Sequence, residues 1–380
     1  MKIVVSLLSV VLILALLVDA FETTILPRRV THRFRFVRMF YVTTWKVWRG
    51  IGLQFPPGRM RESFLSIFGP LSLLTLLATW VIGLIFGFAL LHWSLGTAVH
   101  APESEPSFLT YLYWSGNTFF TLGYGDVTPV AGLGRVLAVI QAGMGFGFLA
   151  LIIGYLPVIY QAFSRREAMI ALLDARAGSP PSAAQMLLRV GRAGNIPAIM
   201  PFLAEWERWS AELLESHLSF PMLSFYRSQH DNQSWLSSLT AVLDTCAVFI
   251  ALVKDHNPFQ AQLTFAISRH AAVDLSLVLQ SPPAEHQDRL PPEQLHQLRE
   301  MLQAAGFLLH EGPVADAKLA ELRGTYEPFV NGLSKRLLFT LPHFVSERSS
   351  ADNWQRSAWM KRAPEINALG ATPSTGDTHF

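Results

Sequence analysis

Thr121-Leu122-Gly123-Tyr124-Gly125-Asp126 is the stretch that decides how this chain of 380 residues is read. Glycine takes every second position in its centre, and glycine enters positive φ without the steric cost other residues meet. A backbone that alternates such residues with ordinary ones can aim consecutive carbonyl oxygens to one side. A row of oxygens of that kind can replace the water shell of a cation in a narrow path. Thr121, Leu122, Gly123 and Tyr124 are then the coordinating positions, with the Thr121 hydroxyl as one more oxygen at the inner end. The Leu122 and Tyr124 side chains would point away from the path, into surrounding protein.

The flanks carry the same reading. An aromatic stretch, residues 108–120, precedes the hexapeptide, and apolar segments lie on either side, at about 64–93 and 136–160. Each is long enough for a hydrocarbon layer of ~30 Å. Charged residues make up only 15% of the chain, against about 25% in soluble proteins, and the deficit falls mainly in residues 1–163. A further apolar run, Ile3–Val18, follows Met1-Lys2. A cleaved signal peptide is the competing reading there. Val18-Asp19-Ala20 is a poor cleavage site, and the apolar pattern continues to Leu26, so a retained membrane helix is favoured.

Charge orients these spans. Arg28, Arg29, Arg33, Arg35, Arg38, Lys46, Arg49, Arg59 and Arg61 lie between the first two, with Glu62 as essentially the only acid. Basic loops stay on the cytoplasmic side, so the N-terminus lies outside, residues 94–132 lie outside, and the chain re-enters the cytoplasm at Arg165-Arg166. Phe34, Val37, Tyr41, Trp45 and Trp48 recur at helical spacing among the basic residues, as in an amphipathic helix on an anionic inner leaflet. A cytoplasmic helix packed on protein is the alternative. A voltage sensor would need regularly spaced arginines inside an apolar helix, and none has that form.

The hexapeptide resembles the signature of potassium channels, whose usual form has valine where Leu122 stands. The resemblance covers about residues 63–163, the two-helix pore module. Tyr113-Trp114-Ser115 is similar to that family's pore-helix pattern, and Asp126 to the acid just outside its filter. The resemblance implies a selectivity filter of Thr121, Leu122, Gly123, Tyr124 and Gly125. Asn117, Trp114 and Asp126 would support it and form the outer mouth. It implies K+ as permeant ion, bound at Thr121, Leu122, Gly123 and Tyr124, with no cofactor. Many prokaryotic members pair a glutamate with the outer acid; Asn117 stands at that place, and Phe120 stands where threonine is common. One filter loop per chain implies a homotetramer, since the known solution uses four loops. Gly134-Arg135 opens the last span as in many members, and Gly145 lies where the resemblance places a gating hinge, between Gly143 and Gly147. Each glycine weakens a helix by ~1 kcal/mol, though small residues also allow close packing, and both roles stay open. Gln141 either faces a cavity or bonds to a neighbouring helix, the latter being favoured.

Beyond residue 163 the chain reads as helices separated by breakers: 164–177, 197–217, 232–254, 259–280, 292–307 and 315–343. The segment 232–254 is apolar enough to span a membrane, but Asp244 would cost ~2.5–3.5 kcal/mol there, so a buried helix is expected. His230-Asp231 near Ser234 reads as helix capping rather than a catalytic dyad. Gly191-Arg192-Ala193-Gly194 lacks the strand context of a dinucleotide site, and the lone Cys246 permits no intrachain disulfide. A net charge of +2 gives no nucleic-acid signature.

The expected fold class is all-α. A potassium-channel pore module (outer helix, pore helix, filter, inner helix; 63–163) is joined to an N-terminal membrane helix (1–26), a basic inner-leaflet segment (27–62), a cytoplasmic helical domain (164–345) and a polar tail (346–380). The expected function is passive, potassium-selective conduction across a membrane, expected to be the bacterial inner membrane, by a non-enzymatic homotetramer gated at the inner helices. Lipid is the other partner, no nucleic acid is expected, and any cytoplasmic regulator is unread. A membrane-anchored sensor with a non-conducting pore, or a weakly selective cation channel, are the alternatives.

Overall fold

The computed structural model describes residues 1–25, 36–230, 232–285 and 288–345. Arg28, Arg29, Arg33, Phe34, Arg35, Asp231 and the expected tail lie outside the described residues. The architecture is all-α, as expected. Among the described residues the one sheet is a pair of two-residue antiparallel strands, β1 (Val99–His100) and β2 (Thr128–Pro129). The chain divides into two compact units, one of Met1–Arg166 with Glu212–Arg227, the other of Glu167–Ala211 with the residues from Ser228 onward.

In the first unit α1 (Lys2–Thr24) packs along α4 (Phe68–Leu95). The α4 surface is made approachable by Gly83 and Gly87, which receive Leu16 and Ile13; small residues serve this purpose where lipid removes any hydrophobic drive between helices. Asp19 accepts a hydrogen bond of 2.9 Å from the buried Trp80 indole. Helix α2 (Phe36–Gly52) and the short α3 (Arg59–Ser66) precede α4. Pro70 lies in the first turn of α4, where its missing amide costs nothing, and the helix ends at Gly96 in the left-handed conformation (φ 63). Then come α5 (Phe108–Phe119) and the long α6 (Gly132–Ala177), which continues past Pro157 and beyond the unit boundary.

Of the expected stripe on α2, Tyr41 and Trp45 are buried against protein, and Val37 and Trp48 are half-buried. Tyr41 stacks on Phe225 at 5.8 Å, Trp45 lies 4.8 Å from Phe68, and Trp48 stacks on Phe64 at 4.6 Å. A different set on that helix is left exposed: Met39, Val47 and Ile51, with Arg38 and Lys46.

In the second unit α7 (Ala183–Arg192), α10 (Phe259–Val278), α12 (Pro313–Gly324) and α13 (Glu327–Leu337) pack around α9 (Trp235–Leu252). The capping of α9 is by Ser234, whose Oγ accepts from the Ser237 amide at 3.0 Å. Among the described residues four stretches are long and apolar enough to cross a membrane: α1, α3–α4, α6 and α9. Burial separates them. Val139 (73%) and Phe146 (70%) on α6 are exposed, whereas nearly all of α9 is enclosed by its own unit. Asp244 is why α9 belongs there. Its carboxylate accepts two bonds from Arg289, at 2.7 and 2.9 Å, and one from the Tyr326 hydroxyl at 2.6 Å. A buried carboxylate is tolerated when it is paired in this way.

The helix expected over 315–343 is two helices. It breaks at Thr325-Tyr326, because Pro328 lacks the amide a helix interior needs and is accommodated only in a new first turn. Helix α8 (Ile199–Ser219) and α11 (Pro292–Ala304) complete the set.

Candidate functional site

The site starts at the end of α5. Ser107 opens that helix, its amide donating to Thr110 Oγ1 at 3.2 Å. Trp114 is buried, with its ring 4.4 Å from that of His92 on α4 and in one cluster with Tyr111 and Val127. After Phe119 the chain leaves the helix and runs through the hexapeptide. φ is +55° at Thr121, +69° at Gly123 and +78° at Gly125, while Leu122 and Tyr124 between them are not in that region. This alternation is the one needed for consecutive carbonyls to share a direction. The glycines were legible in the sequence. The strained Thr121 was not, since nothing in a threonine announces a positive φ, a conformation that costs a β-branched residue more than most.

Two side chains hold the loop. Asn117 Oδ1 accepts from the Gly123 amide at 2.8 Å. Asp126 Oδ2 accepts from the Tyr113 hydroxyl at 2.8 Å, and its Oδ1 from the Val127 amide at 3.0 Å. Asn117 and Asp126 are therefore engaged with separate partners. Tyr113 had no assigned role in the sequence reading; its phenol sits one turn before Asn117 on the helix, and that spacing was the available signal. Leu122 (54%) and Tyr124 (68%) are exposed, so their own chain does not supply the surrounding protein expected for them.

Residues 74–161 match the family described as "Ion channel" (Ion_trans_2). These residues are therefore similar to an ion-channel pore domain. The chain is similar to the uncharacterized membrane protein YdjJ of Bacillus subtilis, 25% identical over 218 residues, which is 54% of this chain and 60% of that protein. It is also similar to protein LctB of Bacillus caldotenax, 34% identical over 90 residues, and of Geobacillus stearothermophilus, 37% identical over 90 residues. Each LctB alignment covers 21% of this chain and 66% of that protein. The chain thus spans less than two thirds of the length of these relatives. No solved structure matches it. The family match and the apolar helices support a membrane protein.

A chain of hydrogen bonds ties α4, α5 and α6 together. Gln141 on α6, almost fully buried, donates to Ser115 Oγ at 2.5 Å and to the Ser115 carbonyl at 3.0 Å. Ser115 Oγ donates in turn to the Ile85 carbonyl on α4 at 2.7 Å. Gln141 therefore bonds to a neighbouring helix. The three glycines of α6 differ. A Cβ on Gly145 would run into the Phe119 carbonyl at the end of α5, whereas at Gly143 and Gly147 it would meet nothing within 4 Å. Gly145 is a close-packing residue here, and α6 remains helical through all three. Beyond the hexapeptide β2 returns along β1, and Gly134 fits beneath Thr97 and Pro129.

Proposed function

We propose that this protein is a subunit of a homotetrameric, potassium-selective channel that conducts passively and is gated at α6. The observation that carries the proposal is the positive φ at Thr121, Gly123 and Gly125, in a loop that leaves the C-terminus of a pore helix. Four such loops around one axis would form stacked rings of carbonyl oxygen, with K+ held at Thr121, Leu122, Gly123 and Tyr124. The C-terminal ends of four pore helices would add negative potential on the axis. The exposed Leu122 and Tyr124 need a protein wall, and neighbouring copies provide one. The apolar, exposed Val139 and Phe146 on α6 fit the same arrangement.

The charge distribution supports a bacterial inner-membrane protein with its N-terminus outside and residues 164–345 in the cytoplasm. Exposed Arg38 and Lys46 beside exposed Met39, Val47 and Ile51 suit an anionic inner leaflet. The test is ion flux from liposomes holding purified protein. Potassium flux that is blocked by barium and lost in Gly123→Ala is expected, since alanine at φ +69° is strained. Equal sodium and potassium flux would remove the selectivity, no flux would remove the channel, and a stable monomer or dimer in detergent would remove the four-loop filter.

A further inference from the structure

Pro221–Phe225 is a short 3-10 turn that lies, with its neighbours 212–227, in the same compact unit as the membrane helices. Together with Tyr226 and Arg227 it engages four different elements. Phe225 enters an aromatic cage, with ring centroids 5.8 Å from Tyr41, 5.1 Å from Trp45 and 5.2 Å from Phe68. Tyr226 lies over Gly69, where even a methyl group would be 2.7 Å from its ring. Arg227 pairs with Glu62 at 2.5 Å. These contacts seat the turn on α2, α3 and the start of α4. The opposite side of the turn takes hold of α6. Arg166, only 4% exposed, donates to the Leu223 carbonyl and to the Tyr226 carbonyl, both at 2.9 Å. It also faces His217 Nε2 at 3.2 Å, and Phe163 on the same helix lies 5.6 Å from Tyr226.

We infer that residues 220–227 are a latch that fastens the cytoplasmic end of the inner helix to the outer wall of its own subunit. A buried guanidinium bound to two backbone carbonyls is a directional tether, because leaving those acceptors unmatched inside protein is costly. The aromatic cage fixes the other side of the turn. In the proposed pore, α4 is the outer helix, so a tether from Arg166 to this wall draws the end of α6 away from the axis. The latch therefore favours the conducting arrangement, and its release lets the inner helices lean inward. This inference rests on the channel reading for its effect on flux, but not for the tether itself.

Two measurements test it. Hydrogen exchange by mass spectrometry is compared in full-length native protein and Phe225→Ala. Faster exchange in 220–227 accompanied by faster exchange at 158–166 is expected; a change confined to 220–227 overturns the tether. Potassium flux is then measured for Glu62→Arg, Arg227→Glu and the double swap, none of which changes a residue of the aromatic cage, each variant first shown to be folded by size exclusion. Each single swap should lower flux roughly tenfold, equivalent to about 1.4 kcal/mol of lost bias, and the double should recover most of it. Native or raised flux in the single swaps, or a double as low as the singles, overturns the latch's effect on conduction. If the native protein itself carries no flux, the channel reading fails, and hydrogen exchange alone decides the tether.

Discussion

Replacing each α6 glycine by alanine distinguishes a hinge from a packing contact, because the three positions have such different surroundings. Alanine stabilises a helix by ~1 kcal/mol relative to glycine. At Gly143 and Gly147 nothing lies within 4 Å of the added carbon, so this gain is expected in full. At Gly145 the added carbon meets the Phe119 carbonyl, a backbone atom that no rotamer change can move. Overpacking of this kind costs ~1–3 kcal/mol, and an immovable neighbour puts it at the upper end, about 3 kcal/mol. The net loss at Gly145 is then about 2 kcal/mol per subunit. For a unit of this size that corresponds to a melting temperature lower by roughly 4–8 °C, against a rise of roughly 2–4 °C at each of the other two. The assay is thermal unfolding of purified protein in detergent, followed by retention of the folded peak on size exclusion. A Gly145→Ala protein that melts with or above the native one would refute the packing argument. So would equal losses at all three positions. A hinge role would instead alter flux without separating the three variants in stability.

Other outcomes follow from single contacts. Asn117→Ala removes the acceptor of the Gly123 amide, a loss of ~1–3 kcal/mol if that donor stays unmatched; it should lower the ratio of potassium to sodium flux, and an unchanged ratio would show that the loop needs no such support. Asp19→Ala leaves the buried Trp80 indole without its 2.9 Å acceptor, so the protein should melt lower by a similar free energy; the intact mass of membrane-extracted native protein should retain residues 2–20, and its loss would show that α1 is cleaved. Burial first, then the nearby Arg166, holds the His217 imidazole well below the ordinary value of 6.5, although its bond to the Leu213 carbonyl opposes this. The unfolded chain therefore takes up a proton that the folded chain refuses as pH falls below 6.5. Its share of stability is complete above that pH and declines by ~1.4 kcal/mol per unit below it. Melting temperatures from pH 7.5 to 5 should fall less steeply in His217→Gln, and parallel curves would contradict the assignment.

The spans, the turn at Gly123 and Gly125, and the burial of α9 were legible in the residues themselves. Each depends on a local rule: enough apolar residues in a row to cross lipid, glycine where the backbone needs positive φ, one carboxylate too many for a bilayer. The limits of α8 to α11 were legible within a few residues, but α7 (Ala183–Arg192) went unread, and at Thr325-Tyr326 apolar periodicity continues across a break that Pro328 imposes. The stripe on α2 was visible as a stripe, but amphipathicity alone does not say whether lipid or protein covers it, and Phe225 and Phe68 are what cover Tyr41 and Trp45.

Tertiary structure alone decided the polar pairings. Asn117 bonds to Gly123 and Tyr113 to Asp126, Gln141 reaches Ser115, Arg289 neutralises Asp244, and Arg166 grips a turn that follows it by about sixty residues. Hydrogen-bonding groups carry no periodicity, and several acceptors of equal chemistry compete for each donor. Which one is met depends on where the packed helices bring the chain back. Local physics therefore specified most of the segments and the turns at Gly123 and Gly125, while the positive φ at Thr121 and the contacts that brace the hexapeptide and hold α6 exist only once those segments have packed.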